Sequence, residues 1–329
     1  MLCYFAHLHN VVMAKIINDQ VRRRFLDANE EPTRPLKPIE GYEKKLLVSL
    51  QQSMKPIKDL VDDEQIANSE YSKQIKKIVG DNHLENFVSV LDKYIWLAKL
   101  KATEPKDNLT ADELAAIHLY TMQWPDSDDN LCTILNKILR SESRDILKPW
   151  FSYLKLLLTA LFKLPSTETV IWRGIRGNVN EEYKKDKIWW GFSSCTESQD
   201  VCDRFLGKCG ERTIFKINCI NGKDIRHYSV YQDEEEILLM PGTYLHVIDK
   251  SHSADGLWII HLQEKPAPHE LLKPPFNLYS KQLNLTSHLR ILVHSNYVLM
   301  WWKLPLHSCD NFYAKTIAYF YESWHHQTL

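Results

Sequence analysis

Apolar residues keep a helical spacing through the first half of this chain, and strand patterns take over between Val170 and Leu262. Helices first and strands afterwards predict an α+β fold, with a helical lobe packed against a strand-rich one. The helices announce their own boundaries. Thr110 precedes Ala111-Asp112-Glu113-Leu114-Ala115-Ala116-Ile117, and a hydroxyl followed three residues later by glutamate is a capping box. A second helix is predicted from Asp145 to Leu164, with Pro149 near its first turn, where a missing amide donor is tolerated. Its run from Trp150 to Leu158 is apolar on more than one face, as in a buried helix. Glu40 to Val61 and His83 to Ala102 also show helical spacing, and Gln199 to Gly207 suits a short helix. The charged, proline-containing stretch from Glu30 to Pro35 reads as a linker. Thr213 to Ile217, Thr243 to Ile248 and Gly256 to Leu262 alternate as half-buried strands do.

Three further strand-like segments carry chemistry. Val170-Ile171-Trp172-Arg173-Gly174 ends on an arginine and a glycine, Gly191-Phe192-Ser193-Ser194-Cys195-Thr196 is rich in hydroxyls, and Asp233-Glu234-Glu235-Glu236-Ile237-Leu238 is acidic. Singly, each has a plain explanation: a surface ion pair, a turn, a solvated charge run. Together and in order they suggest a site. A guanidinium offers a planar fork of donors that stays charged, so Arg173 suits phosphate and ribose oxygens better than a lysine would. Gly174 lets the backbone come close to a ligand. Side chains two apart share a face of an extended segment, so either Glu234 with Glu236 or Asp233 with Glu235 points into one cleft. Cys195 has no helix start, histidine or cation at short range, which favours a buried small residue over a nucleophile.

These segments resemble the arginine, serine and glutamate motifs of the mono-ADP-ribosyltransferases, in particular the branch related to cholera toxin and the animal arginine-specific ecto-enzymes. The likeness covers residues 105–265. It implies a catalytic domain of the ADP-ribosyltransferase type over that span, whose split two-sheet β core forms an NAD cleft beside the helical lobe. Residues 1–19 are then an N-terminal segment, 20–104 a helical extension and 266–329 a C-terminal tail.

The family's pattern of glutamate, any residue, glutamate, branched apolar residue, leucine and a following proline places Glu236 last, before Ile237-Leu238 and Pro241, and so favours the Glu234/Glu236 register. By resemblance, Arg173 and Gly174 bind NAD, Gly174 by hydrogen-bonding the nicotinamide amide. Ser194 orients Glu236 by a hydrogen bond. Glu236 holds the ribose hydroxyl and stabilises the oxocarbenium-like cation formed as nicotinamide leaves. Glu234 handles the acceptor, and a carboxylate there favours arginine. The family's Ser-Thr-Ser stands here as Ser194-Cys195-Thr196, with Cys195 the departure.

The implied activity is NAD-dependent mono-ADP-ribosylation of protein arginine, with NADP as the alternative dinucleotide and no metal. An NAD glycohydrolase using the same residues is the nearest alternative, and a silent NAD- or ADP-ribose-binding module is another. The implied partners are NAD and an acceptor protein with an exposed arginine.

Composition limits other classes. Lys and Arg total 41 against 42 Asp and Glu, so no bulk basic charge is available for nucleic acid. Lys184-Lys185 and the pair Lys55 and Lys58 are local clusters only. Seven cysteines without Cys-x-x-Cys spacing argue against zinc and against a complete disulfide framework; Cys202 and Cys209 are a candidate pair in an exported protein. No apolar run approaches the ~20 residues that span a bilayer, and the opening Met1 to His9 lacks the cationic start of a signal peptide. The expected compartment is the cytosol, with export left open. The apolar stretch Asn296 to Trp302 and the pair His325-His326 fit no part of the family pattern.

Overall fold

The computed structural model describes residues 31–124, 130–207 and 209–276. These belong to one compact unit, Met1–Phe276; a second unit, Asn277–Leu329, lies outside the described residues, as do Met1 to His9, Asn296 to Trp302 and His325-His326.

Seven helices precede the strands among the described residues: α1 Leu50–Asp62, α2 Glu64–Ala67, α3 Glu70–Val79, α4 Asp81–Lys101, α5 Ala111–Thr121, α6 Leu131–Leu139 and α7 Phe151–Lys163. The predicted capping box at α5 is present: the Thr110 amide donates to Glu113 Oε2 at 2.7 Å, and the Glu113 amide donates to Thr110 Oγ1 at 3.2 Å. Glu113 is fully buried and also meets Lys163 Nζ at 2.6 Å, which ties the start of α5 to the end of α7. Where a helix was expected from Glu40, regular helix begins only at Leu50, because a second capping box, Ser49 with Gln52, stops it there. The helix expected from Asp145 opens instead as a 3-10 turn, Arg144–Trp150, containing Pro149.

The stretch from Glu31 to Pro35 is no free linker. Glu31 is buried, and its Oε1 meets Arg140 Nε at 2.7 Å. Nor do α1 to α4 pack apart from the rest: one apolar cluster takes in Leu50, Phe87, Leu119, Trp150 and Leu238. Within it, the Trp124 ring lies stacked against Phe87 at 4.9 Å and against Tyr94 at 4.4 Å.

After α7 the chain forms β1 Ser166–Arg176, β2 Lys187–Trp189, β3 Ser193–Thr196, α8 Gln199–Leu206, β4 Arg212–Asp224, β5 Glu236–Leu239, β6 Thr243–His252 and β7 Leu257–Glu264. The seven strands are ordered β1-β3-β5-β4-β7-β6-β2, and β1 also pairs with β4 along its length. A long limb, β1-β4-β7-β6-β2, is thus joined to a short limb, β3-β5, that bridges from β1 back to the end of β4. This gives the expected α+β architecture with a divided β core. A second apolar cluster, including Ile171, Trp189, Cys195, Phe215, Ile237 and Leu262, fills the interior of the strands. Cys202 and Cys209 are both free thiols, the first buried and the second exposed, so the candidate disulfide is absent. No helix among the described residues is long and apolar enough to cross a membrane.

Candidate active site

The arginine, serine and glutamate segments meet on neighbouring strands. Trp172 of β1 lies opposite Thr196 of β3, and Thr196 lies opposite Glu236 of β5. The side chain of Arg173 is buried, and its Nη1 donates to the Ser194 carbonyl at 2.8 Å. A guanidinium held in this way is set in orientation before any ligand arrives.

The start of β3 is held from two directions. Asn136 of α6 accepts from the Phe192 amide at 2.9 Å and donates to the Phe192 carbonyl at 3.1 Å. Glu31 Oε2 accepts from the Trp190 amide at 2.9 Å. Gly191 lies between them, and a Cβ there would come within 2.8 Å of the Arg140 guanidinium. Asn136 is a polar residue in a helix whose other buried members are apolar, a sequence signal that could have marked it. Glu31 gave no such signal.

Side chains on β3 divide by alternation. Ser194 and Thr196 share one face with Leu238 and Glu236 of β5, while Cys195 lies opposite Ile237 and packs with it in the strand interior. Burial pushes the Cys195 thiol well above the ordinary range, so it stays protonated and un-nucleophilic, in keeping with the reading as a buried small residue.

The acidic run does not continue as a strand. Gln232–Glu234 is a 3-10 turn, Glu235 takes the left-handed conformation at φ 48°, and β5 begins at Glu236. Glu234 and Glu236 are buried, while Asp233 and Glu235 are exposed. The expected pair is therefore the one turned inward, but a left-handed kink brings this about in place of the pleat of an extended strand. For a residue with a side chain, that conformation costs about 1 kcal/mol or more, so the surrounding contacts must hold it.

Ser194 does not brace Glu236 as expected. The hydroxyl that reaches the carboxylate belongs to Ser229, whose Oγ donates to Glu236 Oε2 at 3.1 Å. Ser194 Oγ is buried and has no hydrogen-bond partner among the described residues. Register explains the difference: Ser194 lies across from Leu238, one pleat beyond Glu236. The Ser229 loop is itself fixed to the end of α5, since the Val230 amide donates to Thr121 Oγ1 at 3.2 Å and the Gln123 amide donates to the Tyr231 hydroxyl at 3.4 Å. Ser229 belongs to no motif and was missed in the sequence. Gly174 has a packing reason to lack a side chain, because a Cβ there would lie 2.6 Å from Leu206 of α8.

A buried guanidinium on β1 and buried carboxylates at and just before the start of β5, the two strands that flank β3, suit a substrate that carries phosphate and develops positive charge as it reacts. The family model described as NAD:arginine ADP-ribosyltransferase matches residues 43–269. The NAD(P)(+)--arginine ADP-ribosyltransferase 1 of Gallus gallus is 28% identical over 160 residues, which cover 45% of this chain and 50% of the relative. The chain thus spans half the length of that curated relative. Among solved structures, ADP-ribosyltransferase Vis in complex with agmatine aligns with a TM-score of 0.41 at 18% identity, over 54% of this chain and 86% of that one. The eucaryotic mono-ADP-ribosyltransferase ART2.2 aligns with a TM-score of 0.41 at 15% identity, over 71% of this chain and 98% of that one.

Proposed function

The chain belongs to the NAD:arginine ADP-ribosyltransferase family, and from that premise we propose that it transfers ADP-ribose from NAD to the guanidinium of a protein arginine. The observation that carries the proposal is the bonded succession from Arg173 to the Ser194 carbonyl and from Thr196 across to Glu236, which gathers the three motifs at one place. In this reading Arg173 grips phosphate and ribose oxygens. The bond from ribose C1′ to the nicotinamide nitrogen breaks, and its electron pair leaves with nicotinamide, which departs neutral. The buried Glu236 carboxylate, held by Ser229, faces the oxocarbenium-like ribose and stabilises its charge more than it stabilises the ground state. Glu234 orients the acceptor guanidinium and takes the proton lost as the new bond from ribose carbon to nitrogen forms.

Because the leaving group departs neutral, the chemistry calls for no metal. NAD is the donor in this proposal, NADP the alternative donor, and the protein partner is one with an accessible arginine. Ser194 Oγ, with its bonding capacity unspent in the structure, is assigned to substrate contact in place of bracing Glu236.

Incubation with adenylate-labelled NAD and agmatine tests the proposal. Labelled agmatine formed in step with nicotinamide release is the expected result. Free ADP-ribose alone would replace the transferase with a glycohydrolase, and NAD binding without turnover would leave a silent binding module.

A further inference from the structure

A largely apolar cavity in the structure has a lining that includes none of Arg173, Ser194, Glu234 and Glu236. Its volume is about 650 Å³, and Lys223, Leu164, Met240, Tyr244 and Leu271 are among its walls. That volume falls in the range of small-molecule sites. It lies where the end of β4, the start of β6 and the segment after β7 come together.

The unusual wall is Lys223. The residue is only 7% exposed, yet among the described residues the hydrogen-bond partners of its ammonium are a carbonyl and a hydroxyl, not a carboxylate. Nζ donates to the Leu164 carbonyl at 2.9 Å and to Ser166 Oγ at 3.3 Å, which uses two of the three ammonium protons, and it lies 6.0 Å from the centroid of the Phe162 ring, another cavity wall. The buried carboxylate nearest in effect, Glu264, is already engaged: it accepts from the Ile220 amide at 2.6 Å, the Asn221 amide at 3.0 Å and Asn221 Nδ2 at 3.1 Å. Of the other charged or titratable groups at the cavity, Lys265, His269 and Glu270 are exposed to solvent, and the half-buried Tyr244 has its hydroxyl engaged with Asp186. Burial lowers the Lys223 pKa to about 8, with Glu264 opposing the shift. A cation in that condition gains from any anion that enters.

We propose that this cavity binds a small amphipathic carboxylate, its acid group on Lys223 Nζ and its apolar body along Leu164, Met240 and Leu271. The third ammonium proton, which faces no oxygen among the described residues, suits a monoanionic head, and the apolar walls suit an aliphatic or aromatic body. The site is independent of the transferase reading, because its test measures binding and not turnover.

Titration calorimetry of the full chain with decanoate, and with decanol as the uncharged control, decides the matter. Decanoate binds at one site and decanol at least tenfold more weakly. Lys223→Met weakens decanoate about tenfold or more, whereas Lys223→Arg retains it. Raising the pH from 7 to 9 discharges the lysine and weakens binding about tenfold. Should Lys223→Met fail to fold, Ala267→Trp fills the cavity from a half-buried wall and removes binding with the lysine intact. Equal binding of decanol, or decanoate binding unmoved by Lys223→Met or by Ala267→Trp, overturns the proposal.

Discussion

The guanidinium of Arg173 donates to the backbone carbonyl of Ser194 across 2.8 Å, so the arginine strand and the serine strand are joined by the very side chain assigned to NAD. Lysine can supply the charge but not a planar fork that serves carbonyl and ligand together. Arg173→Lys should lower kcat/KM for NAD by the equivalent of about 1.5–3 kcal/mol, as expected for a charge-assisted contact. Steady-state kinetics with NAD as the varied substrate would show it. An unchanged kcat/KM would mean that this arginine serves only the strand pairing.

Glu236 and Ser229 should act together. Glu236→Gln keeps the shape but removes the charge, and a loss on the order of 3 kcal/mol or more in turnover is expected with NAD affinity within a few-fold. Ser229→Ala keeps the charge but removes its donor, so kcat should fall by the equivalent of about 1.5–3 kcal/mol with little change in KM. Ser229→Thr should restore most of it. Wild-type turnover in Ser229→Ala would reduce this contact to packing.

Glu234→Gln should separate two activities. Transfer to agmatine falls away while hydrolysis of NAD by water persists, since Glu236 still faces the cation. Nicotinamide release and labelled agmatine, followed in one reaction, report both. Equal loss of the two would move Glu234 into bond cleavage itself.

Glu31 should matter to stability although it lies far along the chain from the motifs. Removing it leaves Arg140 buried without its 2.7 Å partner and the Trp190 amide without an acceptor. Breaking a buried ion pair on one side costs about 3–5 kcal/mol, so Glu31→Ala should lower the urea midpoint strongly. A change below about 0.5 kcal/mol, within the range of ordinary surface substitutions, would show the pair to be loosely held.

What the sequence determined by itself was local chemistry. The Thr110 and Glu113 box, the passage from helical spacing to strands, and the residue types of the three motifs are all written within a few positions, and such signals act within a turn or a pleat. The burial of Glu234 with Glu236 was also legible, through the motif, although a left-handed kink at Glu235 and not a strand pleat turns the pair inward. Tertiary structure alone decided which hydroxyl meets Glu236. Ser194 and Glu236 belong to different strands, and a register that sets Ser194 against Leu238 leaves the carboxylate to Ser229 on a loop tied to α5. Packing likewise decided that Glu31 is buried against Arg140, 109 residues away, and that Lys223 lies beside a cavity with a carbonyl and a hydroxyl as its hydrogen-bond partners among the described residues. Contacts at such separations arise from how whole layers fit together, and no local pattern encodes them.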